Sequence, residues 1–177
     1  MPLSIPYEPE GFSEEGKVLN TGLLPVSWDK LLWAALTVGR PNRYYVFRHG
    51  RSSVYEALFR FSLMRMALEQ SGPQAQRLRR TAAARSLDPT EKGAVNYFLG
   101  MIVAKLFAAE VLSAPWMLHL DVFRPQLNMV LDGRSRPDLV GMTTNGQWIA
   151  LECKGRVNPP DQGATTKAKR QAQRVVS

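Results

Sequence analysis

Arg-Pro-Asp-Leu-Val-Gly-Met-Thr-Thr-Asn-Gly-Gln-Trp-Ile-Ala-Leu-Glu-Cys-Lys-Gly-Arg, residues 136 to 156, is the stretch that decides how the chain folds. Two apolar runs, 139–142 and 148–153, flank Asn145-Gly146. Apolar runs around an Asn-Gly pair predict a β-hairpin. Asp138 opens the first strand, and Glu152 and Lys154 interrupt the end of the second. Charges in strands this apolar need partners, and a divalent cation is one that two carboxylates can share.

Alternation along the second strand sets Trp148, Ala150, Glu152 and Lys154 on one face and Ile149, Leu151 and Cys153 on the other. A two-residue Asn145-Gly146 turn would pair Asp138 with Cys153 and send the two acids to opposite faces. A three-residue loop, Thr144-Asn145-Gly146 with Gly146 left-handed, pairs Asp138 with Glu152 directly. A shared cation requires the odd loop or a bulge near Asp138. The bland alternative is a solvated face with an ion pair between Glu152 and Lys154.

These residues resemble the signature of the PD-(D/E)XK nuclease superfamily, with Pro137-Asp138 followed fourteen residues on by Glu152-Cys153-Lys154. The resemblance covers roughly residues 88–177 and leaves the first half of the chain outside it. It implies a restriction-endonuclease-like α/β (mixed α+β) core of helix, three-stranded sheet and helix, then a fourth strand. This chain is expected to stop in the second helix, so it is either a fragment or borrows the missing fourth strand from a second copy or a partner subunit. In the superfamily the helix before the sheet often carries an acid near its start, a place similar to that of Glu91. The helix after the signature often carries a Lys or Gln, a place that Lys167 and Gln171 could fill.

The chemistry follows from the residues themselves. Phosphodiester hydrolysis needs an activated water and a neutralised pentavalent phosphate, and a carboxylate-held Mg2+ supplies both. Asp138 and Glu152 would hold it, with the backbone carbonyl of Cys153 as third ligand and Mn2+ as a substitute. Lys154 would orient the water or offset charge on the phosphate. Arg134, Arg136, Arg156 and Lys167 would grip neighbouring phosphates.

Composition fits a polyanionic partner. The first 30 residues carry five acids and two lysines, and the remaining 147 carry ten acids and 21 basic residues. So basic a balance suits nucleic acid, and DNA is the expected partner. No apolar run of about 18 residues and no signal-peptide pattern is visible, so no membrane partner is expected. One cysteine excludes an internal disulfide and fits a reducing cytoplasm, and with two distant histidines it supplies no zinc site. Cys153 itself reads as a small buried hydrophobe.

Outward from the hairpin, residues 1–26, with Pro2, Pro6, Pro9 and Pro25, predict an extended or disordered arm. Residues 27–87 predict a basic helical region. In it, Ser27 caps a helix ending near Gly39, Tyr44 to Phe47 form a strand rimmed by arginines, and Ser53 with Glu56 opens a helix striped by Val54, Leu58, Phe61 and Leu68. Residues 74–87 read as a short helix or a mobile linker bounding the core. Asp88-Pro89-Thr90-Glu91 starts a long helix, where Glu91 serves equally well as a capping-box partner or as the superfamily's extra acid. Trp116 to Arg124 predicts the first core strand, with His119 and Asp121 on one face as an optional second pair. Residues 125–135 read as a loop, and Thr165 or Thr166 caps a last basic helix.

The resulting expectation is a Mg2+-dependent DNA nuclease. Its rival is a non-catalytic nucleic-acid-binding protein of the same fold. A membrane-surface or protein-interaction role would need an aromatic and leucine face that the last helix lacks.

Overall fold

The computed structural model describes residues 3–9, 20–72, 77–128, 130–131, 136–156, 162–173 and 175–176. Within them the fold is α+β, with seven helices and four small antiparallel sheets. The amino terminus departs from the expected arm. Strand β1 (Leu3–Tyr7) pairs with β2 (Gly22–Val26), setting Leu3 opposite Val26 and Ile5 opposite Leu24. Leu3, Leu24 and Val26 point inward and are buried, while Pro6, Leu23 and Pro25 face out. The prolines suggested a break, but a two-stranded ladder is all edge, and edges tolerate proline.

Helix α1 (Trp28–Thr37) begins as expected, with Ser27 Oγ accepting from Lys30 N–H at 3.2 Å. The next element corrects the expected strand: α2 (Arg43–Phe47) is a helical turn, because Asn42 Oδ1 accepts from the N–H groups of Tyr44 and Tyr45. Helix α3 (Arg51–Ala67) starts ahead of Ser53, which lies inside it with Oγ accepting from His49 N–H. Glu56 caps nothing there; Arg40 holds it at 2.6 Å and Arg60 at 2.8 Å. Most of the expected apolar stripe faces solvent, since Val54, Leu58 and Phe61 are exposed, while Leu68 just past the helix packs against the core with Met64 and Ala67.

Strand β3 (Leu68–Gln70) follows α3 without a break and pairs with β4 (Leu78–Arg80). Helix α4 (Ala82–Ser86) is capped by Thr81. The expected short helix or linker over 74–87 is therefore a strand and a helix, with 73–76 outside the described residues. Helix α5 (Pro89–Glu110) carries the capping box read from sequence: Thr90 N–H donates to Asp88 Oδ1 at 2.7 Å, and Asp88 N–H to Glu91 Oε2 at 3.2 Å.

Among the described residues α5 is the one helix long and apolar enough to cross a membrane. Here its apolar residues build two cores. Ile102 and Leu106 pack with Leu31, Met64 and the β1–β2 hairpin, while Met101 and Ala108 pack with Met117, Leu139 and Cys153. Packing is continuous across the boundary expected at 87/88.

Strand β5 (Met117–His119) is shorter than expected because α6 (Leu120–Leu127) takes over at Leu120. After β6 (Val130–Leu131) come β7 (Leu139–Met142) and β8 (Trp148–Leu151), and β5, β7 and β8 form one antiparallel sheet with β7 central. Helix α7 (Gln162–Ala172) begins before Thr165 and Thr166, so neither caps it, and Thr166 Oγ1 donates back to Gln162 O at 2.9 Å. The chain does not stop in that helix. Strand β9 (Val175–Val176) follows and pairs with β6, apart from the three-stranded sheet.

Candidate active site

Strands β7 and β8 pair Leu139 with Leu151, Val140 with Ala150, Gly141 with Ile149 and Met142 with Trp148. Their connection is the three-residue loop. Gly146 N–H donates to Thr143 O at 3.0 Å and Thr143 N–H to Gln147 O at 2.9 Å. Gly146 has φ +81, a left-handed conformation that glycine adopts without cost to a side chain. One further step of this register sets Asp138 opposite Glu152. Leu139, Leu151 and Cys153 pack into the core, which leaves Asp138 and Glu152 on the face of Val140 and Ala150.

Asp138 Oδ2 accepts from Cys153 N–H at 2.8 Å, tying that carboxylate to the neighbouring strand end. The Glu152 side chain is only 4% exposed. Its Oε1 accepts from Lys154 Nζ, and its Oε2 is buried with no hydrogen-bond partner among the described residues. Burial pushes the Glu152 carboxyl above its ordinary range, and the charge of Asp138 adds to that push against the hydrogen bond and charge of Lys154 and a backbone hydrogen bond from Asp138. Burial, then the charges of Asp138 and Glu152, push the Cys153 thiol up to about 12, so it is an inert thiol.

Helix α5 forms the other wall. A Cβ on Gly155 would lie 1.7 Å from Asn96 O, and one on Gly100 would lie 2.8 Å from Gly155 N. Only glycines allow the residues after β8 to lie directly on the helix backbone. Asn96 is itself held by Arg80, whose Nη2 donates to Oδ1 at 2.5 Å. The next residue, Tyr97, is half-exposed, and its phenol is pushed above the ordinary range by partial burial and by the charges of Asp138, Cys153 and Glu152. At neutral pH it therefore keeps its proton. Tyr97 carries no motif, and nothing local in the sequence marks it.

His119 also lies near Asp138, not in a pair with Asp121. Burial, with the charges of Arg60 and Arg40, lowers its imidazole below the ordinary range, and Asp138 opposes that shift. Asp121 sits instead in the first turn of α6 and pairs with Arg136 at 2.6 Å. Arg136 is thus already engaged by a carboxylate.

Glu91 is taken up by the α5 cap. Lys167 is exposed on α7, and Gln171 Oε1 is buried without a hydrogen-bond partner among the described residues. No contact described links either residue to the carboxylates. Arg156 is exposed, and Arg134 lies outside the described residues. Among those residues no three His, Cys, Asp or Glu side chains gather as a metal-holding group. A cleft of about 310 Å3 opens beside Glu152 and Lys154, walled by Tyr7, Leu24 and Phe107. Asp138 does not line this apolar cleft, so it adjoins the acidic pair and does not contain it. No family model, curated protein or solved structure matches the chain.

Proposed function

We propose that the chain is a metal-dependent nuclease hydrolysing phosphodiester bonds in DNA, with Asp138 and Glu152 as cation ligands and Lys154 as the assisting cation. The observation that carries this reading is Glu152 Oε2, a buried carboxylate oxygen without a hydrogen-bond partner among the described residues, on a residue set opposite Asp138 by the odd-length loop. An anion held in that state costs stability, and structures retain such costs at functional sites. The donors suit a hard cation. Two carboxylates and the Cys153 carbonyl, completed by water, suffice for Mg2+ or Mn2+ without a third acid. When bound, the ion would acidify a water and neutralise phosphoryl charge.

The chain's own groups do the rest. Lys154, on the sheet end and 40% exposed, offers an ammonium to the water or the scissile phosphate. Tyr97, protonated and half-exposed, offers an O–H to a phosphate oxygen beside the acids. The order helix, strand, strand, strand, helix through α5, β5, β7, β8 and α7 supports a restriction-endonuclease-like core, with α6 and β6 inserted. Strand β9 departs from that pattern, because it pairs with β6 and not with the sheet. A reducing cytoplasm is the compartment proposed for this single-cysteine chain.

The test is cleavage of circular and linear DNA in Mg2+ and in EDTA. Asp138→Asn and Glu152→Gln should each lower cleavage by orders of magnitude, and Lys154→Ala should stop it while metal binding persists. If parent and variants cut alike, the site lies elsewhere. If none cuts but all bind, the non-catalytic nucleic-acid-binding reading replaces this one.

A further inference from the structure

We infer that the outward face of α2 and α3 is a stacking platform for unpaired nucleic-acid bases. Its direction, feeding a single strand towards Asp138 and Glu152, rests on the nuclease reading; the platform itself does not.

Two observations meet on this face. The first is charge. Residues 40–67 hold six arginines, no lysine and one acid, Glu56. Arg40 and Arg60 occupy that acid. Arg43, Arg48, Arg51 and Arg65 are exposed and have no ion-pair partner among the described residues. The planar guanidinium matches phosphate oxygens and stacks on rings, as Arg48 already does 4.8 Å from the Tyr45 ring centroid. The second is exposed aromatic surface. Tyr44 is 71% exposed, Tyr55 69% and Phe59 55%, alongside Leu58 and Phe61. Single exposed hydrophobes are ordinary, but this many exposed rings and leucines on two successive helices mark an interaction surface.

The band leads to the acidic pair. Phe59 meets Phe98 edge-on at 5.9 Å between ring centroids, Phe98 meets Tyr97 at 6.3 Å, and the Tyr97 phenol feels the charges of Asp138 and Glu152. Rings interleaved with phosphate-binding cations suit a single strand, whose bases have free faces, and a duplex would offer the rings only its backbone. A second copy docked about a two-fold axis would set these arginines against each other. An anionic lipid surface would match the arginines but not a band that ends at two carboxylates.

The test is fluorescence anisotropy in EDTA, which prevents metal-dependent cutting. The probes are a labelled 20-nucleotide single strand, the matching duplex, and phosphatidylserine-containing vesicles. Tyr55→Ala/Phe59→Ala removes exposed rings and should keep the parent's circular dichroism, with a small fall in melting point from the lost Phe59–Phe98 contact. It should lower single-strand affinity about tenfold or more and leave duplex affinity within about twofold. Arg48→Gln/Arg51→Gln should weaken single-strand binding and reduce the slope of log affinity against log salt by about 1.4. Unchanged single-strand affinity in both variants overturns the inference, as does vesicle binding that the ring variant abolishes while single-strand binding stands. Parent cleavage with unaltered single-strand binding in the variants overturns the platform and keeps the nuclease. Lost single-strand binding with no cleavage by the parent overturns the nuclease and keeps the platform.

Discussion

Glu152→Gln should make the metal-free protein more stable. The Glu152 side chain is 4% exposed, and its Oε2 has no hydrogen-bond partner among the described residues. A buried acceptor without a donor costs about 1–3 kcal/mol. Lys154, 40% exposed, offsets only part of this, since such pairs contribute about 0.2–1 kcal/mol. Burial holds the carboxyl above its ordinary value of 4.5, so the folded state binds more protons than the unfolded state between the two values. Stability therefore falls as pH rises through that window, and the destabilisation is absent below the ordinary value of 4.5.

Replacing the charge while keeping the shape should recover about 1 kcal/mol, a rise of ~2–4 °C in Tm for a chain of this size. Mg2+ at about ten times its Kd should stabilise the parent by ~1.4 kcal/mol, or ~3–6 °C, with far less effect on the variant. Calorimetry at pH 7.5 in EDTA and in Mg2+ reads both effects, and the gap in EDTA should close as pH falls towards 4.5. A variant that melts below the parent in EDTA, or equal Mg2+ shifts in both, would refute the reasoning.

Gly155→Ala should drive a methyl into Asn96 O, 1.7 Å away, and cost about 3 kcal/mol or more, read as a Tm loss of at least ~6 °C. His119, held below its ordinary 6.5, binds its proton more readily when unfolded, so its stabilising contribution is present above 6.5 and declines as pH falls below it. Urea midpoints at pH 7.5 and 5.5 should differ less in His119→Gln than in the parent. Cys153, buried with its thiol pushed up to about 12, should resist Ellman's reagent until denaturant exposes it, and rapid labelling of the native protein would contradict the packing described.

What was legible in the sequence was local. The hairpin follows from period-two alternation and Asn145-Gly146, and the parity of the loop decided in advance what the acids required. Ser27 and the Asp88-Pro89-Glu91 sequence supply their own caps, so α1 and the start of α5 follow from a few neighbouring residues. Where the sequence reading failed, a partner distant in the chain or an unweighed cap decided the outcome. Pro6 and Pro25 resembled breaks until each strand supplied the other's ladder. The β-prone run Tyr44 to Phe47 yielded to the side chain of Asn42. The stripe on α3 was visible, but whether it faced inward depended on what packed against Met64. Tyr97 joins the site only because Gly155 rests on Asn96, far away in sequence.

That glycine contact makes α5 the datum from which the motif's position is set. With no side chain as a cushion between Gly155 and the helix backbone, a shift of the helix axis is passed undiminished to Lys154 and Glu152. Helix α5 is in turn seated on Leu3, Leu24 and Val26 through Ile102 and Leu106. A chain begun at Ser27 would carry every motif residue and lose the seat that aligns them. The amino-terminal hairpin, which contributes no acid or lysine to the motif, therefore acts as the alignment jig for Glu152 and Lys154.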